Sequence, residues 1–141
     1  MKLVVDTNIV FSALLKRESR ELDILFTSMF KFFIPKVLFM ELFRHKEKIV
    51  QISKLTEDEI YELLYRILEK MEIIDIENVP VKYRKEAYAL TKDIDPSDAL
   101  FIALAMFLDA KLWSGDKKLK DGLEKKGKCI VLTTQDLLRM L

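Results

Sequence analysis

The length, composition and charge of the chain exclude several classes of protein. It has 141 residues, half of them hydrophobic and a third charged, which is typical of one folded domain with its own core and not of a disordered chain. The formal net charge is +1, so a nucleic-acid partner would have to be held by local basic patches. The single cysteine, Cys129, excludes an internal disulfide, and its apolar surroundings predict a small buried core residue.

The apolar segments are too short for a membrane protein. The first segment ends at Asp6 after three apolar residues, which is too short for a secretory signal. The longest segment, residues 99–108, is too short to cross a bilayer. We therefore expect a cytoplasmic protein that makes no membrane contact. The many Lys and Glu residues, beside only three Gly and three Pro, also resemble the composition of a thermophile protein.

Short apolar strands alternate with helical periodicities along the chain. Strands are predicted at residues 2–6, 31–35, 71–76, 111–114 and 128–133. Helices are predicted at residues 8–16, 19–30, 36–50, 56–70, 81–92, 95–108, 116–127 and 134–141. Thr56 and Glu59 form a capping-box pattern, and Asp95 before Pro96 is typical of a helix N-terminus. In the helix at 19–30, the spacing of the apolar residues places Met29 on the buried face.

The order of these elements predicts an α/β fold. Strands that alternate with helices favour a parallel sheet, and nearly continuous apolar strands favour a sheet that is covered on both faces. We expect a three-layer α/β/α sandwich with a central parallel sheet of about five strands. Residues 1–141 are expected to form a single domain.

Four acidic residues occupy positions that such a sheet would bring to one edge. Asp6 and Asp116 directly follow predicted strands, Asp98 lies in the first turn of an apolar helix, and Glu41 lies inside the helix after the second strand. The carboxyl ends of parallel strands face one crevice, so the four side chains can converge there. Converging carboxylates need a counter-cation, and an all-oxygen ligand set favours Mg²⁺ or Mn²⁺ over zinc.

Each acid taken alone also has a structural explanation. Helix capping explains acids at helix starts, and it applies to Asp6, Asp98 and Asp116. Glu41 can pair with His45 one turn further along its helix. Capping does not require residues to share one edge of the fold, however, and Glu41 lies too far inside its helix to be a cap. The set as a whole therefore favours a site.

Four segments together resemble the PIN-domain family, which includes many small prokaryotic ribonucleases and VapC-like toxins of toxin–antitoxin pairs. They are "VVDTNIVFSALL", the glutamate in "FMELFR", "DPSDALFIALA" and "WSGDKKL". They follow the family's order and span essentially the whole chain. The resemblance implies that the catalytic, metal-binding acids are Asp6, Glu41, Asp98 and Asp116. It implies polar support from Thr7, Asn8 and Ser114, and it favours Asp95 as a helix cap rather than a ligand.

The resemblance also implies a function. We expect a Mg²⁺- or Mn²⁺-dependent endoribonuclease, using one or two ions, in which an activated water hydrolyses RNA. Lys117 and Lys118 adjoin Asp116 and are the predicted phosphate-binding residues. An antitoxin protein and a second copy of the chain are possible partners. The alternative from another class is a non-catalytic PIN-fold binding or scaffold module in RNA processing. A haloacid-dehalogenase-like phosphatase is disfavoured because Asn8 replaces its second aspartate.

Overall fold

A five-stranded parallel sheet forms the centre of the fold in the computed structural model, which describes residues 1–141. The strands are β1 (Lys2–Val5), β2 (Lys31–Pro35), β3 (Met71–Ile74), β4 (Lys111–Trp113) and β5 (Val131–Leu132). Their order in the sheet is β3-β2-β1-β4-β5, and every neighbouring pair is parallel. The predicted α/β class and the parallel sheet of about five strands are confirmed.

Nine α-helices and two short 3₁₀-helices connect and cover the strands. The α-helices are α1 (Thr7–Ala13), α2 (Arg20–Leu25), α3 (Val37–Arg44), α4 (Lys46–Ile52), α5 (Glu57–Leu68), α6 (Val81–Thr91), α7 (Ala99–Leu108), α8 (Lys117–Lys125) and α9 (Thr134–Leu138). The 3₁₀-helices span Ile76–Asn78 and Pro96–Asp98. None of the helices combines the length and the hydrophobicity that crossing a bilayer requires.

The central strand shows that helices cover both faces of the sheet. Successive side chains of a strand point to opposite faces, and Leu3, Val4 and Val5 of β1 are all completely buried. Helix α7 packs against β1, β2 and β4, and it also packs against α6. Helix α1 contacts α2 and α3, and α2 contacts α9. The result is the predicted three-layer arrangement around one contiguous apolar core.

Local sequence signals for helix starts agree with the structure. Thr56 Oγ1 accepts a hydrogen bond from the backbone N–H of Glu59 at 3.2 Å, and the Glu59 side chain accepts from the backbone N–H of Thr56 at 3.0 Å. Asp95 caps the turn that begins at Pro96, where its Oδ1 accepts from the backbone N–H of Ser97 at 3.0 Å. The turn is 3₁₀, and the α-helix proper begins three residues later, at Ala99.

Three expectations about local structure are wrong. The helix predicted at 36–50 is broken at His45, whose φ of −101° and ψ of 10° are not α-helical. The helix predicted at 19–30 ends at Leu25, so Met29 leaves the helical face and is exposed. Cys129 is also exposed, because the edge strand β5 has only two residues and begins after it. In each case the observed element is shorter than its apolar pattern predicts.

An apolar groove lies between helices α3, α4 and α5 on the surface. Its volume is about 290 Å³, and its lining comprises Leu14, Phe39, Leu42, Phe43, Lys46, Ile49, Val50, Glu57, Ile60, Tyr61 and Leu64. Phe43 is 79% exposed and Met40 beside it is 63% exposed. Apolar side chains of this size that face solvent together are typical of a surface that contacts another molecule.

Helix α7 should dominate the stability of the fold. Ile102 is completely buried in α7, so Ile102→Ala removes buried methyl groups and leaves a cavity. We expect the free energy of unfolding to fall by about 2–5 kcal/mol in urea denaturation. The matched control is Ile52→Ala at the end of α4, where the side chain is half exposed and the cost should be under about 1 kcal/mol. Equal losses in the two variants would contradict this assignment of the core.

Candidate metal centre

The order of the strands creates a crevice at the carboxyl ends of β1 and β4. The chain leaves β1 toward β2 on one side, whereas β4 pairs with β1 on the other side. Open parallel sheets bind ligands at such a switch point. Asp6 follows β1 directly, and its backbone N–H donates to the carbonyl of Trp113, the last residue of β4, at 3.1 Å. Asp6 and the residues after Trp113 therefore leave the sheet side by side.

Ser114 links the two chain segments that leave these strands. Its hydroxyl donates a hydrogen bond to Asp6 Oδ2 at 2.8 Å, and its oxygen accepts one from the backbone N–H of Asp116 at 3.1 Å. Ser114 is completely buried and Asp6 is only 7% exposed. The predicted support role of Ser114 thus has a geometric basis, because one hydroxyl orients the Asp6 carboxylate and holds the segment that carries Asp116.

Three carboxylates form a close group, and Asp6 lies near it but outside it. Oxygens of Asp95, Asp98 and Asp116 lie within 4.8 Å of one another. All three residues are half-buried, and Asp98 Oδ2 is buried with no hydrogen-bond partner. An oxygen that is removed from water and left unpaired is costly unless another group binds it. This oxygen is the clearest indication that the cluster is incomplete without a cation.

Glu41 faces the same cluster from helix α3. It is half-buried, and its negative charge is one of the causes that raise the pKa values of Asp6 and Asp98. No ion pair joins Glu41 to His45, whose ring instead packs edge-on against Phe11 with 6.4 Å between ring centroids. The structure brings Glu41 toward the acids of the strand ends and does not support the pairing alternative.

Burial and mutual repulsion change the ionisation of the buried acids. Burial is the largest cause that raises the pKa of Asp98, followed by the charges of Asp6, Asp95, Asp116 and Glu41, and together they bring it to about 7. Burial also raises the pKa of Asp6, although the hydrogen bond from Ser114 opposes that change.

The pKa of Asp95 is lowered instead. Hydrogen bonds from the Ser97 side chain and backbone are the main causes, and the positive charge of Lys118 adds a smaller contribution. The cluster thus contains a carboxyl group that resists ionisation beside one that ionises readily. Ionising both groups at once places two negative charges together, and a nearby positive charge would relieve that repulsion.

Helix capping explains some of the acids and not others. Asp116 caps α8, since its Oδ1 accepts from the backbone N–H of Leu119 at 3.0 Å. Asp6 and Asp98 make no side-chain capping bond to the helices that follow them. Asp95 is the predicted cap, yet it also belongs to the cluster, because both of its hydrogen bonds use Oδ1. No local signal identified this second position, because the three-residue spacing from Asp98 equally fits a capping pattern.

The other predicted site residues surround the acids less closely. Thr7 is buried at the start of α1, and its Oγ1 has no hydrogen-bond partner. Asn8 is exposed next to it. Lys117 and Lys118 are exposed in the first turn of α8, and the charge of Lys118 reaches Asp95. Thr7 and Lys118 therefore lie near the acids. The backbone N–H of Asn8 is close enough to Asp6 to help lower its pKa, whereas the Lys117 side chain forms no ion pair with the acids.

The residues present fit a hard divalent cation. All ligand atoms that the cluster offers are carboxylate oxygens, which suit Mg²⁺ or Mn²⁺ better than softer metals. The unpartnered Asp98 Oδ2 is buried where such an ion would lie, and the repulsion among the acids would be relieved by its charge. The arrangement can therefore bind a divalent ion between the carboxyl ends of two strands.

The chain belongs to the PIN domain family. The family model for the PIN domain matches residues 4–137, which is nearly the whole chain. Members of this family are generally metal-dependent nucleases, and the acidic cluster found here is consistent with that activity. No curated protein matches the chain at a significant level.

Solved structures with the same fold include two prokaryotic proteins. One is VapBC2 from Rickettsia felis, bound to a DNA fragment from the promoter, with a TM-score of 0.69, 22% identity, and coverage of 94% of this chain and 98% of that one. The other is PAE2754 from Pyrobaculum aerophilum, with a TM-score of 0.68, 12% identity, and coverage of 99% and 95%. At these identities the similarity establishes the fold.

The stability of the metal-free protein should depend on pH through Asp98. Its pKa is about 7 in the folded protein against an ordinary value of 3.8, so the folded state holds the proton more tightly than the unfolded state. This stabilising contribution is complete below the ordinary value and is lost as the pH rises through 7. With EDTA present, we expect Tm to fall by a few degrees between pH 5 and pH 8, and Mn²⁺ to reverse the fall at pH 8.

The Asp98→Asn variant is the control for this titration. An amide carries no titratable proton, so Tm of the metal-free variant should change much less between pH 5 and pH 8. Asp6 adds a change of the same sign, because its pKa is also raised. A metal-free parent that is more stable at pH 8 than at pH 5 would contradict the proposed repulsion.

Proposed function

We propose that the chain is a divalent-metal-dependent ribonuclease that acts as a single PIN domain over residues 1–141. The observation that supports this most strongly is the close group of Asp95, Asp98 and Asp116 oxygens, in which a buried oxygen of Asp98 has no hydrogen-bond partner. Ser114 links the buried Asp6 to the same segment. We assign Asp6, Asp98 and Asp116 as ligands of Mg²⁺ or Mn²⁺. Glu41 would bind a second ion or orient the attacking water.

Different side chains of the site would have different roles in phosphodiester hydrolysis. A bound divalent ion supplies Lewis-acid chemistry, which activates water and neutralises the charge that develops on the phosphate. Ser114 keeps the Asp6 carboxylate in one orientation, as its 2.8 Å hydrogen bond indicates. Thr7 offers a buried hydroxyl that has no other partner. No Ser–His or Cys–His pair is needed, because water is the nucleophile.

The substrate backbone would be held by lysines of helix α8. Lys117 and Lys118 are exposed in the first turn of α8, directly after Asp116. Ammonium groups beside the acids can bind the phosphates that flank the scissile bond without reading the base sequence. Because the formal net charge of the chain is only +1, binding of the RNA backbone would depend on this local basic patch. We infer RNA as the substrate from the PIN family resemblance.

The decisive experiment is RNA cleavage by Asp6→Asn. Asparagine keeps the shape of the side chain but removes the negative charge of the carboxylate that Ser114 links to the Asp116 segment. We expect cleavage in Mn²⁺ or Mg²⁺ to fall by at least about 100-fold, since such a loss removes several kcal/mol of transition-state stabilisation. Labelled RNA resolved on a denaturing gel measures the rate.

One control variant and one test of phosphate binding complete the same assay. Asp121→Asn makes the same chemical change on the exposed surface of α8 and should leave the rate unchanged. Lys118→Glu should raise KM more than it lowers kcat if Lys118 holds phosphate. A parent protein that binds Mn²⁺ but does not cleave RNA would favour the scaffold alternative, and an active Asp6→Asn variant would refute the site.

We further propose that the nuclease is the toxin of a toxin–antitoxin pair. The family resemblance suggests this role, and the apolar groove of α3, α4 and α5 supports it as a docking surface for an antitoxin helix. Helix α3 lines the groove and also carries Glu41, so the groove and the acidic site share one helix although Glu41 does not line the groove. Phe43 is the most exposed large apolar side chain of that surface.

The groove can be tested with the protein encoded by the neighbouring reading frame. Co-expressed with the parent chain, this protein should co-purify and suppress RNA cleavage, whereas Phe43→Glu should weaken the complex at least about tenfold. Tyr65→Glu is the control, because Tyr65 is exposed on α5 but does not line the groove. A groove that forms a homodimer instead would show a Phe43-dependent dimer in light scattering without the second protein.

A further inference from the structure

Helix α8 contacts the segment that carries Asp95 and Asp98. The contact on α8 is made at Gly122, which has no side chain. If Gly122 carried a Cβ, that atom would lie 2.6 Å from Ile94 Cδ1 and 3.0 Å from Ile94 Cγ1. A separation of 2.6 Å is well inside van der Waals contact, so the backbone of α8 approaches Ile94 more closely than any other residue at position 122 would allow.

This contact lies between the two segments that meet in the cluster. Ile94 directly precedes Asp95, and Asp98 follows in the same turn. Asp116 is the N-cap of α8, six residues before Gly122 and so about 9 Å from it along the helix axis. An α-helix of this length moves as a rigid rod, so a displacement at Gly122 is passed to Asp116.

A second contact holds α8 against the same segment. Lys126, the C-cap residue of α8, donates from Nζ to the carbonyl of Leu90 at 2.8 Å and also forms an ion pair with Asp93. Helix α8 is therefore tied down on one side of Gly122 by Lys126 and on the other by the link from Asp116 through Ser114. A methyl group added at position 122, between these two contacts, would push α8 away from Ile94.

Rotation of the Ile94 side chain away from that methyl group is restricted. It packs against the core, and its β-branch restricts the rotamers at χ1. Rotation of Cδ1 would still leave Cγ1 at 3.0 Å from the new methyl group. Ile94 is half-buried, and where it keeps its rotamer the remaining adjustment is separation of α8 from the 94–98 segment, which moves Asp116 away from Asp95 and Asp98.

We infer that Gly122 is a positioning residue, whose missing side chain lets α8 approach Ile94 closely enough for Asp116 to meet Asp95 and Asp98. The inference rests on the metal site proposed above. Gly122 lies in a helix, 24 residues after Asp98 in the chain, and it would set the distance between the carboxylates that bind the cation. Residues that orient ligands in this way typically change metal affinity by about 10–100-fold when they are replaced.

The test is Mn²⁺ binding to Gly122→Ala, measured by isothermal titration calorimetry. We expect the affinity to fall about tenfold. In the double variant Ile94→Ala/Gly122→Ala both nearest atoms, Cδ1 and Cγ1, are absent, and most of the affinity should return. Gly115→Ala adds the same methyl group one residue before Asp116, where nothing lies within 4 Å, and it should bind like the parent.

The outcomes separate this inference from the proposed function. If the parent does not bind Mn²⁺, the metal site itself is refuted. If the parent binds Mn²⁺ and Gly122→Ala binds equally well, only the positioning role is refuted, and Tm should then rise because alanine has a higher helix propensity than glycine.

A fallback covers the case in which Gly122→Ala does not fold by circular dichroism. Ile94→Ala then tests the same contact from the other side by removing the atoms that set the spacing. We expect the folded Ile94→Ala variant also to bind Mn²⁺ about tenfold more weakly. Parent-like affinity in that variant would overturn the inference.

Discussion

Electrostatic repulsion among carboxylates is the constraint on which the functional edge of this protein depends. Two carboxylates about 4 Å apart repel by about 4 kcal/mol at an effective dielectric near 20. Here oxygens of three aspartates lie within 4.8 Å of one another, with Asp6 and Glu41 close enough to raise the pKa of Asp98 further. A fold keeps such a cluster only if the rest of its packing outweighs the repulsion. The buried strands and α7 supply that packing.

The parallel sheet explains why the acids meet at one edge. Each β–α crossover returns the chain in the same direction, so the residues after β1 and β4 leave the sheet together. Ser114 then holds the two segments in one arrangement. Its hydroxyl donates a hydrogen bond to Asp6, and its oxygen accepts one from the backbone N–H of Asp116. Repulsion among the acids therefore opposes stability at this edge, and a bound divalent ion would relieve it.

Elements with strong local signals could be predicted from the sequence, and their ends could not. The capping box of Thr56 and Glu59 involves atoms three residues apart, so the chain needs no tertiary partner to form it. The break at His45 and the early end of α2 before Met29 contradict a continuous apolar pattern. Apolar spacing shows that a residue can be buried, but the helix continues only where neighbouring elements leave room for it.

The sequence by itself determined which acids follow strands, which residues cap helices, and that the elements alternate as in a parallel sheet. These properties depend on hydrogen bonds and periodicities between residues a few positions apart. Only the tertiary structure decided the strand order, the membership of Asp95 in the cluster, and the contact of Gly122 with Ile94. Those features join residues far apart in the chain, and they depend on how whole elements pack, which no local pattern encodes.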